Sequence, residues 1–256
     1  MTKYFKVVFL LFVINWSFFE LSAQKIKYGI DFTPGIAAAF VNATAPYNKY
    51  SKQEFNDSIQ KQQNGIFSPG FGIHMIQKAG RFDELYIGLQ YQLYGWGRTK
   101  RNLHFLDSIH SDVGKVLQLS QTVEQDVRFS FMFHQIVVPV YRISTLRFNK
   151  MPTGMTLGVY YGGALHATFS KKAIAQTIGF SAYGKKKFDL PSEKFQMLPF
   201  TLSVQAGLKM SQLIGDDLYF NFMPGFSIVP IPSKNTVERQ FQYKLQAGIG
   251  VSKTFK

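Results

Sequence analysis

Proton transfer is the chemistry this chain is best equipped for on residue type alone, through His74, His134 and His166, each set in an apolar stretch. A histidine beside a serine and a carboxylate activates a hydroxyl as a nucleophile. On a lipid ester that would make a lipid-modifying enzyme. No spacing marks such a set, however, and isolated histidines more often serve packing and hydrogen bonding. A second group is electrostatic: Lys171, Lys172, Lys185, Lys186 and Lys187 fall within one polar segment. They read either as a solvated, mobile loop or as a site for anionic lipid phosphates. No metal-ligand spacing, glycine-rich phosphate loop or nucleic-acid module is present, so no cofactor is implied.

Which elements would position these residues is clearest in Glu238 to Phe255. Phe241, Tyr243, Leu245, Ala247, Ile249, Val251 and Phe255 share one parity; Gln240, Gln242, Lys244, Gln246, Gly248, Gly250 and Ser252 share the other. Period two is a strand. Seven further segments repeat the pattern: 25–41, 66–78, 84–97, 129–144, 154–168, 195–211 and 218–231. The connections between them run long (42–65), short (79–83), long (98–128), short (145–153), long (169–194), short (212–217), with a modest last one (232–237). The second half of 98–128 alternates well enough to start the fourth strand early, and a hairpin hidden there would raise eight strands to ten. The expected fold is all-β: an antiparallel up-and-down transmembrane barrel of about eight strands, filled inside.

One parity gathers the polar residues Lys27, Asp31, His74, Gln90, Gln92, His166, Gln205, Lys209 and Lys244, with Thr201, Ser203, Asn221, Gln242 and Gln246. Eight strands enclose just enough space for side chains. The expectation is therefore a polar plug in which Asp31 compensates Lys27, Lys209 or Lys244. The competing arrangement is a soluble ligand-binding barrel with its apolar parity inward. Pro139 and Pro224 fall inside strands, and each predicts a bulge.

The start of the chain points to export. Lys3 and Lys6 precede the apolar run Val7 to Phe19, and Ala23 precedes Gln24. That is the layout of a signal peptide over 1–23, leaving 24–256 as the barrel domain. The run of about 13 residues is short of the roughly 18 needed to span as a helix. No cysteine is present, so neither disulfides nor a lipid-attachment site follow. The formal charge is +14, and removing Lys3, Lys6 and Glu20 lowers it by one. An exported basic barrel finds its counter-charge in outer-membrane lipids, lipopolysaccharide included, rather than in nucleic acid.

Several segments resemble the PorT-like outer-membrane β-barrel family: KIKYGIDFTPGI, GFGIHM, ELYIGLQYQLYGWG, QIVVPVYRI, GVYYGGAL, SVQAGLKM and the closing AGIGVSKTF. Ile136, Val138, Pro139 and Val140 resemble the family's Tyr-Leu-Glu-Ile-Pro-Leu strand, with Gln135 and Val137 where the family usually has Tyr and Glu. The resemblance implies a bacterial outer-membrane location and a non-catalytic role as membrane scaffold or binding partner in the envelope, some members being implicated in protein secretion. A lipid-modifying enzyme and a narrow channel are the alternatives.

Overall fold

A strand that crosses hydrocarbon must pair every backbone N–H and C=O with a neighbouring strand, and this requires a ring without edges. The computed structural model describes residues 26–43, 63–104, 124–146, 152–178, 187–190, 200–231 and 238–255. The expected signal peptide and Lys185 and Lys186 lie outside them. The strands are β1 (Ile26–Phe32), β2 (Gly35–Ala43), β3 (Gln63–Asn64), β4 (Ile66–Phe67), β5 (Gly70–Lys78), β6 (Asp83–His104), β7 (Glu124–Leu146), β8 (Met155–Ile178), β9 (Lys187–Leu190), β10 (Phe200–Gly215), β11 (Leu218–Ile231) and β12 (Glu238–Phe255).

Hydrogen-bonded neighbours run β1-β5-β6-β7-β8-β10-β11-β12, and β12 pairs back onto β1 with Ile26 opposite Phe255. The result is a closed ring of eight antiparallel strands. β2 continues β1 along the same partner, Gln246 of β12 facing Gly35. Between them Pro34 has no N–H to give, but its carbonyl accepts from Ala247 N at 2.9 Å, and Thr33 and Gly70 exchange both backbone bonds. β3 and β4 extend β5 in the same broken fashion, β4 pairing with β2 and β3 with β6.

Alternation now acquires a direction. On β10, Val204 is 66% exposed and its neighbour Gln205 is fully buried; on β12, Leu245 is 64% exposed and Lys244 fully buried. On β10 and β12 the apolar parity points outward and the polar parity inward, while β7 also turns Val127, Phe129, Phe133, Val137 and Ile143 inward; the outward apolar faces overturn the soluble ligand-binding arrangement. Leu245 to Phe255 covers about 33 Å along the strand, or about 25 Å at a tilt of about 40°, the height of an outer-membrane apolar band. The barrel is of the outer-membrane type: apolar outside, polar inside and closed.

Three strands exceed their expected lengths. β6, β7 and β8 run to 22, 23 and 24 residues, where about 9–11 suffice to cross. The segment from Phe169, expected as loop, begins as strand. Phe169 is an extra residue, since His134 faces Ser170 while Gln135 faces Thr168. That bulge reverses the parity beyond it and hides the alternation. Lys171 thus stands opposite Phe133 and Lys172 opposite Met132. Neither proline bulges: Pro139 stays in register with Ala164, and Pro224 with Ala247. At Pro139 the ring lies against Gly88, where an added Cβ would come within 3.0 Å of it. A neighbour without a side chain therefore absorbs the proline, with no shift of register.

The tight connections gather at the end that also holds Ile26 and Phe255. Asp217 takes a left-handed conformation (φ 57°) in the turn from β10 to β11, and Gly154 does so (φ 78°) just before β8. Placing a charge on the outward face is expected to be costly: Val204→Arg should lose about 2–4 kcal/mol of folding stability in bilayers if it lies near the midplane. Urea titration in lipid vesicles measures this, and an unchanged midpoint would be inconsistent with a lipid-facing Val204.

Candidate functional site

Within the barrel, polar side chains from all eight strands meet in layers. At the short-turn end is a vestibule of about 300 Å³, lined among others by Lys27, Lys78, Arg81, Phe82, Glu84 and Tyr219. Its floor is an ion triad. Glu84 accepts from Lys27 Nζ at 3.2 Å and from Lys209 Nζ at 2.5 Å. Lys27 also lies 4.2 Å from the centre of the Tyr219 ring. Beside the triad, Arg142 donates to Asp83 at 2.7 Å and Ser144 to its other oxygen at 2.8 Å.

Asp31 occupies the next layer, where it accepts from Tyr86 and from His74 Nδ1, the latter at 2.8 Å. The expected compensation of a lysine by Asp31 is thus corrected: Asp31 serves His74 and Tyr86, and Glu84 serves the lysines. Glu84 shares the inward parity of Tyr86, and its place one residue from the start of β6 leaves the alternation almost nothing before it to reveal that. Tyr86 then stacks on Tyr141, and Tyr160 meets Tyr141 at a tilt, with both pairs of ring centres 5.1 Å apart and packed on Ile76, Ile143 and Met223. Tyr160 fills its space so fully that a Cβ on Gly225 would lie 1.9 Å from its hydroxyl.

The tyrosines hand their hydroxyls to an amide layer. Gln90 donates to Tyr86 at 3.1 Å, Gln92 to Gln90 at 2.7 Å, and Tyr141 donates to Gln205. His166 is held between Gln135 Oε1, 2.9 Å from Nδ1, and Ser203 Oγ, 2.7 Å from Nε2. An amide oxygen can only accept, so Nδ1 carries the proton and Nε2 accepts from Ser203. Above, Tyr94 bonds Ser227 at 2.5 Å and closes the lumen with Trp96, Phe133, Ala37, Ala39 and Val229.

Lys27, Asp31, His74, Gln90, His166, Gln205, Lys209 and Lys244 all line this interior. Serine and histidine do meet, at Ser203 and His166, but an amide stands where a catalytic carboxylate would, and all three residues are buried. His134 stands on the outward parity instead, its Nδ1 2.6 Å from Tyr91 Oη, with Phe169 packed on both rings. The lysines expected as one cluster divide between strands: Lys171 and Lys172 on opposite faces of β8, and Lys187 on β9 opposite Gln176. Among the described residues no group of histidine and carboxylate side chains could hold a metal ion.

No family model and no curated protein matches the chain. Solved structures similar to it include Neisserial surface protein A (10% identity, 89% of this chain and 97% of that one, TM-score 0.36). Others are the outer membrane protein OprG from Pseudomonas aeruginosa (9%, 91% and 96%, TM-score 0.39) and the outer membrane protease OmpT from Escherichia coli (9%, 92% and 99%, TM-score 0.37). Superpositions this loose add nothing to the strand pairing and face chemistry described above, on which the barrel assignment rests.

The ion triad has a measurable consequence. Glu84→Gln leaves Lys209 buried with no carboxylate and is expected to destabilise the barrel by about 3–5 kcal/mol. Lys209→Met with Glu84→Gln should recover part of that loss, read as the urea midpoint of the detergent-folded protein. A single variant as stable as the parent would show that the triad contributes nothing.

Proposed function

We propose that the protein is a non-catalytic outer-membrane barrel that acts as a scaffold or binding partner in the cell envelope. The carrying observation is the length of β6, β7 and β8. From Leu93 to His104, β6 continues on the order of 35 Å along its axis past the apolar band. Strands longer than the membrane requires form a stiff sheet outside it, on which a partner can dock without the entropy of ordering a loop. The filled lumen supports a scaffold over a channel, and the amide beside His166 supports a scaffold over a hydrolase.

The resemblance to PorT-like barrels makes a secretion complex the partner class of choice. Membrane lipids are the second partner, with lipopolysaccharide phosphates near Lys172 on the outward parity of β8. A photo-crosslinking residue at Gln176, exposed on the extended part of β8, is expected to form adducts with envelope proteins in cells, while one at lipid-facing Leu245 yields none. Equal labelling from both positions, or none from Gln176, would contradict the docking role. Planar-bilayer recordings are expected to be silent; steady unitary currents would favour the channel.

A further inference from the structure

The vestibule at the short-turn end carries more positive charge than its carboxylates neutralise. Asp83 is held by Arg142 at 2.7 Å, and Glu84 divides its two oxygens between Lys27 and Lys209. Lys78 stands directly across the ladder from Glu84, whose oxygens are both engaged elsewhere. Arg81, in the turn between β5 and β6, has its guanidinium carbon 5.3 Å from the centre of the Phe82 ring. Among the described residues no carboxylate pairs with Lys78 or Arg81. Five cations, Lys27, Lys78, Arg81, Arg142 and Lys209, thus line the cavity or bond to its lining, against three carboxylates, Asp83, Glu84 and Asp217. Two positive charges are in surplus.

The cavity, about 300 Å³, has room for a side chain or two and is too small for a folded element. It lies at the end that faces the periplasm in barrels whose short turns and long loops alternate. Its rim is held in place: Ala79 N donates to Asp83 O at 2.7 Å and Thr145 N to Phe82 O at 2.8 Å, which pins the turn that presents Arg81. Phe82 is 39% exposed on that rim. We propose that the vestibule receives an acidic segment of a periplasmic protein, one carboxylate entering beside Lys78 and Arg81 while the adjoining chain lies on Phe82. The guanidinium offers paired N–H donors to a carboxylate. A small free anion in such a recess would keep most of its water, whereas a carboxylate carried on a polypeptide adds apolar contact and arrives on a partner already held nearby. Glu84 and Asp217 in the lining limit the site to one or two negative charges and disfavour a polyphosphate. The inference rests on the reading of the barrel as an envelope binding partner and gives it a second surface, at the end opposite the long strands.

The probe is a short dye-labelled peptide of alternating glutamate and serine, titrated with the detergent-folded protein at low ionic strength. Fluorescence anisotropy should show saturable binding that disappears when glutamine replaces every glutamate of the peptide. Lys78→Gln with Arg81→Gln should weaken binding about tenfold, the combined effect of two exposed ion pairs. Lys171→Gln with Lys172→Gln, at the other end of the barrel, should leave it unchanged. A benzophenone on the peptide should crosslink the unaltered protein within residues 78–82, an arm that needs no variant. Equal weakening by the two double variants, or crosslinks confined to the opposite end, would reduce the binding to the protein's net charge and overturn the proposal. Displacement of the peptide by an equimolar amount of inorganic phosphate would also overturn it, in favour of a free-anion site.

Discussion

The structure depends on one seam, the pairing of β12 with β1. Seven consecutive residue pairs, from Ile26 opposite Phe255 to Phe32 opposite Ile249, join the last strand to the first. Without them two edges of unpaired N–H and C=O groups would face hydrocarbon, where no water can satisfy them. Closure also fixes the size of the lumen. A ring of eight leaves space for side chains and little else, so each inward residue must be compatible with its neighbours across the barrel. The tyrosine stack and the glutamine layer are the consequence: large polar side chains whose rings pack and whose tips hydrogen-bond one another.

That constraint explains where the charges sit. Lys27, Glu84 and Lys209 gather at the short-turn end beside the vestibule, where solvent reaches Lys27 and Glu84. Deeper in the lumen the polar groups are mostly amides, hydroxyls and imidazoles paired with one another. Asp31 and Lys244 are the exceptions, Asp31 held by His74 and Lys244 meeting Gln92 Oε1 at 3.4 Å and the Tyr94 ring at 5.1 Å. The outward face obeys the opposite rule. Between its boundaries it carries few polar groups, and Tyr91 and His134 satisfy each other at its upper margin.

Much of this was legible because a strand crossing a membrane writes its orientation into every second residue. β11 and β12 match their sequence-based bounds. Two features broke the legibility. Insertion of Phe169 reversed the parity of β8, so that Lys171 and Lys172 looked like loop. Pairing across the lumen was also hidden: parity shows that Asp31 and Glu84 both face inward, but which lysine each meets depends on strand stagger and tilt. The accommodation of Pro139 by Gly88 was hidden in the same way, because it joins residues on different strands.

The most direct test of the inside-out barrel uses the absence of cysteine from the chain, which leaves single introduced cysteines as the sole thiols. Cysteines at 242, 243, 244, 245, 246 and 247 of β12, each labelled with an environment-sensitive fluorophore after folding into vesicles, would be read against lipid-borne quenchers. The account predicts strong quenching at 243, 245 and 247, with poor labelling or weak quenching at 242, 244 and 246. Uniform quenching, or the reversed alternation, would contradict it.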